Sequence, residues 1–175
     1  MLTSKIRAAR HAVAIDEPRR AFRPTLFGAD KIAELNALAA VRAGQPHLPW
    51  KLPYQEQWFP GVHGAIGGGG ARRGISDIAL AWILRGARDA GLAVRTDGRG
   101  LIYNLSRNPF QELQSSATKS WYEKGPLGML ARLFHRPRPG PTRIDDVHLV
   151  TLQRWYAAPD LLPGKAEYRP ATLSD

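Results

Sequence analysis

The apolar positions of the chain recur most regularly between residues 75 and 90. Ile75, Ile78, Ala79, Trp82, Ile83, Gly86, Ala87 and Ala90 are spaced by three and four. That spacing predicts an amphipathic helix, with Asp77, Arg85, Arg88 and Asp89 off its buried face. Ser76 stands where an N-cap is expected and Gly91 where a C-cap is expected. Upstream, Trp58 and Phe59 favour a strand that Pro60 and Gly61 end, and Gly67–Gly70 give a connection free to take positive φ. Strand, His63, glycine loop and helix together make an α/β element, whose reacting groups belong at the carboxyl end of the strand.

The same reading extends along the chain. Lys5–Ile15 is predicted to be a helix, which Pro18 ends or restarts. Asp16 and Glu17, close to Arg19 and Arg20, read as an ion-pair cluster that fixes a turn, in preference to catalytic carboxylates. Asp30 is the expected N-cap of a helix over Lys31–Arg42, with Ile32, Leu35, Leu38 and Ala39 on one face and Gly44 closing it. Pro46, Pro49 and Pro53 predict an extended loop from Gln45 to Tyr54, with His47 as a surface residue. Leu92–Arg95 and Leu101–Leu105 are expected as short strands around Asp97-Gly98. Residues 126–141 carry four prolines and several arginines, which predicts a mobile surface excursion. Structure resumes at Val147 as a helix running through Trp155, and no repeat or second domain interrupts residues 1–175.

Composition narrows the function classes. There is no cysteine, which removes disulfides and thiolate metal sites, and no metal or cofactor is expected. The longest apolar run, Ile78–Leu84, is about a third of a membrane span. The net charge is +10, yet the 19 arginines scatter from Arg7 to Arg169, with one denser group at Arg132, His135, Arg136 and Arg138. Without basic residues clustered among aromatics, nucleic acid is not the expected partner; an arginine-rich solvated surface and attraction to anionic lipid are the readings that stand.

The chemistry centres on Trp58-Phe59-Pro60-Gly61-Val62-His63, the glycine run, and Gly74-Ile75-Ser76-Asp77-Ile78-Ala79-Leu80. These stretches resemble the signature of the DUF2235 family, α/β-hydrolase-like proteins that include Tle1-like phospholipase effectors of the type VI secretion system. Arg10–Pro24 resembles the segment that precedes the signature, and Glu167–Leu173 the close of many members. The resemblance implies an α/β fold, a partial three-layer hydrolase-like sandwich, with His63 at the place of the family's histidine. In such enzymes a serine attacks an ester, a histidine takes its proton and a carboxylate orients the histidine. His63 is thus the candidate general base, the alternative being a histidine that only stabilises its loop.

No Gly-x-Ser-x-Gly elbow surrounds Ser4, Ser76, Ser106, Ser115, Ser116, Ser120 or Ser174. By the resemblance the nucleophile should lie upstream of Met1, so the chain is expected to be the C-terminal part of a serine hydrolase of the lipase or phospholipase class, inactive alone. A separate chain carrying the serine, a lipid or ester substrate, and type VI secretion components are the implied partners. Location in the cytoplasm of the producing cell, with export by a signal-peptide-independent route, is likewise implied. The motif also departs from its relatives: many read His-Ser-Asp-Val-Gly-Gly-Gly, where this chain has His63-Gly64-Ala65-Ile66-Gly67-Gly68-Gly69.

Two other readings stay open. Gly67, Gly68, Gly69 and Gly70, with Arg72 and Arg73 nearby, could hold a phosphate or carboxylate on backbone amides, or could simply be a tight connection; no dinucleotide or P-loop pattern fits them. The chain could also be a non-catalytic remnant or interaction protein, or a basic anion- or lipid-binding module.

Overall fold

Arg10, Ala12 and Ala14 alternate with His11, Val13 and Ile15, and this two-residue period, not a helical one, organises the N-terminal segment. In the computed structural model, which describes residues 2–19, 22–95, 98, 104–113 and 139–173, strand β1 (Ala9–Ala14) pairs in parallel with β2 (Tyr54–Phe59), in a register that sets His11 beside Glu56 and Val13 beside Trp58. The expected helix over Lys5–Ile15 is therefore a strand. Its local composition is compatible with either form, and a partner 45 residues away decides between them.

Each face of the pair is covered. Helix α1 (Ala29–Ala43) brings Leu35, Ile32 and Ala39 against Tyr54 and Ala9, whereas Leu38, expected on the same face, is exposed. Helix α3 (Gly74–Asp89) lays Ile75, Ala79 and Trp82 against Ala14 and Phe59 on the other face. Between β2 and α3 lies a single-turn helix α2 (His63–Ile66), so His63 opens a helical turn where a loop was expected. Gly44 closes α1 in the left-handed region, as expected. The start of α1 differs: Gly28, not Asp30, occupies the cap, and Asp30 sits in the first turn.

Helix α3 confirms the apolar spacing but shifts its ends. Arg73 is the N-cap, and Ser76 lies inside the first turn with its Oγ donating to the Arg73 carbonyl. Gly91 follows the cap residue Ala90 with φ 103°. Asp77, expected off the buried face, is only 3% exposed. Its carboxylate accepts from the Ser106 amide at 2.7 Å and from Arg73 at 3.3 Å, and these partners make burial tolerable. Gly86 is a packing requirement, since a Cβ there would fall on Arg10, which reaches across to the Trp82 carbonyl at 2.6 Å.

The far edge of β2 is occupied. The buried Asn36 side chain bonds both backbone groups of Tyr54, at 2.9 and 3.0 Å, taking the place of a neighbouring strand. Further along, Val147 makes a parallel bridge to Trp58, and the Trp58 carbonyl accepts from the His148 amide and from the Thr151 hydroxyl. Helix α4 (Leu149–Trp155) follows, close to the helix expected through Trp155. The near edge of β1 is different. Register and parallel geometry point the backbone groups of Arg10, Ala12 and Ala14 away from β2, and no strand pairs with them among the described residues. The helices and the parallel pair are compatible with an α/β arrangement, with a sheet of two strands among the described residues.

Other expectations meet the structure unevenly. Gln45–Pro53 holds a turn of 3-10 helix at Pro49–Lys51 within its extended path. Leu92–Arg95 forms no strand, and Leu101–Tyr103, Asp97, residues 126–138 of the proline-rich excursion and the basic group from Arg132 to Arg138 lie outside the described residues. No helix among the described residues is long and apolar enough to cross a membrane.

His148 ties α4 to the core. Its ring stacks on Phe59 at 4.2 Å, and its Nδ1 accepts from the Val150 amide at 3.1 Å as the cap of α4. Burial, with the charge of Arg85 adding to it, lowers its pKa from 6.5 to about 4. A group held neutral by folding contributes stability that is complete above pH 6.5 and is lost as pH falls towards 4. Thermal unfolding should therefore show about 3 kcal/mol of stability lost across that window. His148→Asn, which keeps a capping oxygen but cannot take up the proton, should flatten the dependence there.

Candidate active site

β1 and β2 run parallel, so the segments that leave them emerge side by side. Asp16 and Glu17 follow β1; Gly61, Val62 and His63 follow β2. Gly61 adopts φ 111°, a conformation that favours glycine, and its amide donates to Asp16 Oδ2 at 2.6 Å. The two turns are thereby stitched together one residue before Glu17 and two before His63.

Glu17 has a side chain with no exposed surface, so its charge must be met inside the protein. Arg19 meets it with Nε at 2.7 Å from Oε1 and Nη2 at 3.0 Å from Oε2, in a forked geometry, and adds its own backbone amide at 3.2 Å. His63 Nδ1 lies 2.5 Å from Oε2. Burial alone pushes the carboxyl pKa up, but the hydrogen bonds from Arg19 and His63 and the charge of Arg19 outweigh it and hold the group down at about 2.

An ionised carboxylate can only accept, so Nδ1 of His63 is the protonated nitrogen facing it. In the neutral ring the lone pair is then on Nε2, to which no hydrogen bond is made among the described residues. The ring is held on its face by Phe22, stacked at 4.2 Å and 20°; the Arg19 guanidinium also lies over the Phe22 ring at 4.2 Å, with its Nη2 3.5 Å from His63 Nδ1. This is the tautomer and orientation that a general base requires.

His63 borders a cavity of about 730 Å³. Its wall includes four consecutive β1 residues, His11, Ala12, Val13 and Ala14, from both faces of the strand, so the cavity runs along the open edge of β1 and not over one face. Phe22, Arg23 and Pro24 close one side, and Ile66, Ala79, Leu80 and Ile83 another, giving a largely apolar wall with His63 set into it. A second pair, His11 Nδ1 and Glu56 Oε2 at 2.8 Å, also reaches this wall through His11, but Glu56 accepts the Phe27 amide as well and anchors the approach to α1.

The sequence-expected residues separate here. Gly67, Gly68 and Arg73 line the cavity with His63, whereas Gly69, Gly70 and Arg72 do not. The glycine amides are turned inward: Gly67 donates to His63 O at 2.9 Å, Gly68 to Ala65 O at 3.4 Å and Gly69 to Gly64 O at 2.8 Å, closing α2. Arg72 pairs with Glu112 at 2.7 Å and Arg73 with Asp77 at 3.3 Å. The ion pair read between Glu17 and Arg19 is present, but the same carboxylate also holds His63, a contact 46 residues apart that no local spacing signals. Among the described residues no group of three or more His, Cys, Asp or Glu is arranged to hold a metal.

The model of the type VI secretion phospholipase effector Tle1-like catalytic domain matches residues 1–86. The similarity supports a Tle1-like phospholipase-effector lineage, and the described residues that line the cavity, from His11 to Ile83, fall within the matched segment. No curated protein and no solved structure matches the chain.

The buried charge of Glu17 gives the site its own pH dependence. A carboxyl lowered from 4.5 to about 2 contributes stability that is complete above pH 4.5 and disappears as pH falls towards 2. Acid titration followed by circular dichroism should show this second loss below the His148 window, and Glu17→Gln should remove it.

Proposed function

We propose that this chain supplies the acid–base half of a serine-hydrolase site of the phospholipase class, with His63 as general base and Glu17 as the carboxylate that orients it. The observation that carries the reading is the 2.5 Å contact between Glu17 Oε2 and His63 Nδ1 at the carboxyl ends of adjacent parallel strands, beside a largely apolar cavity. Ester hydrolysis needs a serine whose proton passes to Nε2, and the sequence holds no Gly-x-Ser-x-Gly elbow. Among the described residues the one serine on the cavity wall, Ser76, donates to the Arg73 carbonyl from within α3 and is 5% exposed, a poor position for attack.

The nucleophile then comes from another segment or chain. Two parallel strands with covered faces and one open edge make a marginal sheet, and a further strand along β1 would complete it. Such a strand would enter the cavity beside His63, which is where a serine at its carboxyl end would have to sit. In this reading residues 1–175 form one incomplete α/β-hydrolase-like domain, the C-terminal part of a DUF2235/Tle1-like fold, inactive alone. The Tle1-like match favours a lipid ester as substrate and a type VI secretion context; cytoplasmic residence in the producing cell and export without a signal peptide are part of the proposal. A phosphate site on the glycine run draws less support, because Gly67–Gly69 spend their amides on α2 and both arginines are paired with carboxylates.

Reconstitution tests the reading. The protein is co-expressed with the Gly-x-Ser-x-Gly-bearing portion of a Tle1-like catalytic domain, and the purified assembly is assayed on phospholipid vesicles. Hydrolysis should appear only in the assembly. His63→Ala should lower kcat by at least about 10³-fold and Glu17→Gln by about 10²- to 10⁴-fold, with KM little changed. An assembly that forms and hydrolyses lipid equally well with His63→Ala would sink the assignment.

A further inference from the structure

The turns that carry Glu17 and His63 are short, and what holds them from outside comes from the other end of the chain. Asp16 Oδ2 accepts two hydrogen bonds: one from the Gly61 amide at 2.6 Å and one from the Tyr168 hydroxyl at 2.8 Å. The Asp16 amide in turn donates to Gly61 O at 3.1 Å. Four residues after Tyr168, the Thr172 hydroxyl donates to Ile15 O at 3.1 Å. Two side chains of one segment thus grip the backbone and carboxylate of Ile15-Asp16, immediately before Glu17.

The grip is braced. Arg154, 4% exposed, places its guanidinium 5.2 Å from the Tyr168 ring centre and donates to the carbonyls of Pro109 and Gln111 at 2.7 and 3.0 Å. Gly140 lies so close to the Thr172 carbonyl that a Cβ could not be accommodated without moving that backbone. Burial, with the charge and hydrogen bond of Asp16, pushes the Tyr168 hydroxyl well above the usual tyrosine range, so it remains a donor throughout the ordinary pH range. None of these gripping residues lies in the segment 1–86 that matches the Tle1-like catalytic model.

We infer that Tyr168 and Thr172 are positioning residues for the His63–Glu17 pair: they fix Asp16, Asp16 fixes Gly61, and the two turns together set the distance between the carboxylate and the imidazole. They touch neither ring nor cavity and act only through Asp16 and Ile15. The inference takes its importance from the acid–base role proposed for that pair, but its geometry can be measured without any activity.

The measurement is NMR on the intact chain labelled with ¹⁵N, following the His63 Nδ1 proton and exchange of the Gly61 amide. Tyr168→Phe should broaden or abolish the His63 Nδ1–H signal and speed Gly61 exchange about tenfold or more. Thr172→Val, which keeps shape and loses only the hydroxyl, should act in the same direction, and it serves as the test if the first variant does not fold. Leu35→Val, which loosens the chain from α1 without touching the grip, is the control. Unchanged His63 and Gly61 signals in a folded Tyr168→Phe or Thr172→Val protein, or equal changes in Leu35→Val, would overturn the inference. Changed signals with no hydrolysis in any reconstituted assembly would uphold the positioning role and reject the hydrolase reading. In an active assembly, Tyr168→Phe should lower kcat with KM nearly unchanged.

Discussion

The constraint on which the rest of this structure depends is the charge of Glu17. A carboxylate without solvent must find positive or donating partners, and an uncompensated one costs several kcal/mol. Arg19 satisfies it locally, two residues on, while His63 satisfies it from the other strand. In the acid–base role proposed for the pair, it is the second partner that matters. It fixes which imidazole nitrogen carries the proton and holds the turn after β2 against the turn after β1. The Asp16–Gly61 hydrogen bonds then make that contact a property of two backbones and not of two flexible side chains.

Parallel pairing makes such a contact possible. Antiparallel neighbours place successive strand ends at opposite ends of a sheet, whereas parallel neighbours bring both carboxyl ends to one side. With β2 closed on its far side by Asn36 and by Val147–Thr151, the open edge of β1 is the only described sheet edge beside the cavity. Site and unfilled edge therefore coincide. In the proposed assembly, a strand that completed the sheet would also reach the histidine.

How much of this was legible in the sequence follows from the range of each interaction. Most of the α3 face, the body of α1, strand β2 and the helix up to Trp155 are written in local spacing and residue type, with Leu38 exposed on α1 and Asp77 buried on α3 as the departures. His63 was marked by its place after an aromatic strand and before a glycine run. β1 was not legible, because a short alanine-containing stretch suits helix or strand until Tyr54–Phe59 pairs with it. The buried state of Asp77 depends on the Ser106 amide, 29 residues away, and so hid behind a polar residue type. The contact of Glu17 with His63 was not legible at all. The arginines near Glu17 correctly announced an ion pair, and that local sufficiency concealed the distant histidine.

The glycine run shows the converse error of reading freedom as function. Four glycines can approach an anion, but the amides of Gly67, Gly68 and Gly69 fold back on α2, with Gly68 taking the positive φ that the turn requires. An amide already donating to a carbonyl has little left for a ligand. The backbone permissiveness is used to bring α2 round tightly into α3, and the turn so formed sets Ile66 and Gly68 against the cavity that His63 borders. The run therefore shapes the wall of the cavity, and the chemistry proposed for it rests on a histidine and a carboxylate whose meeting is fixed by the strands, not by the loop between them.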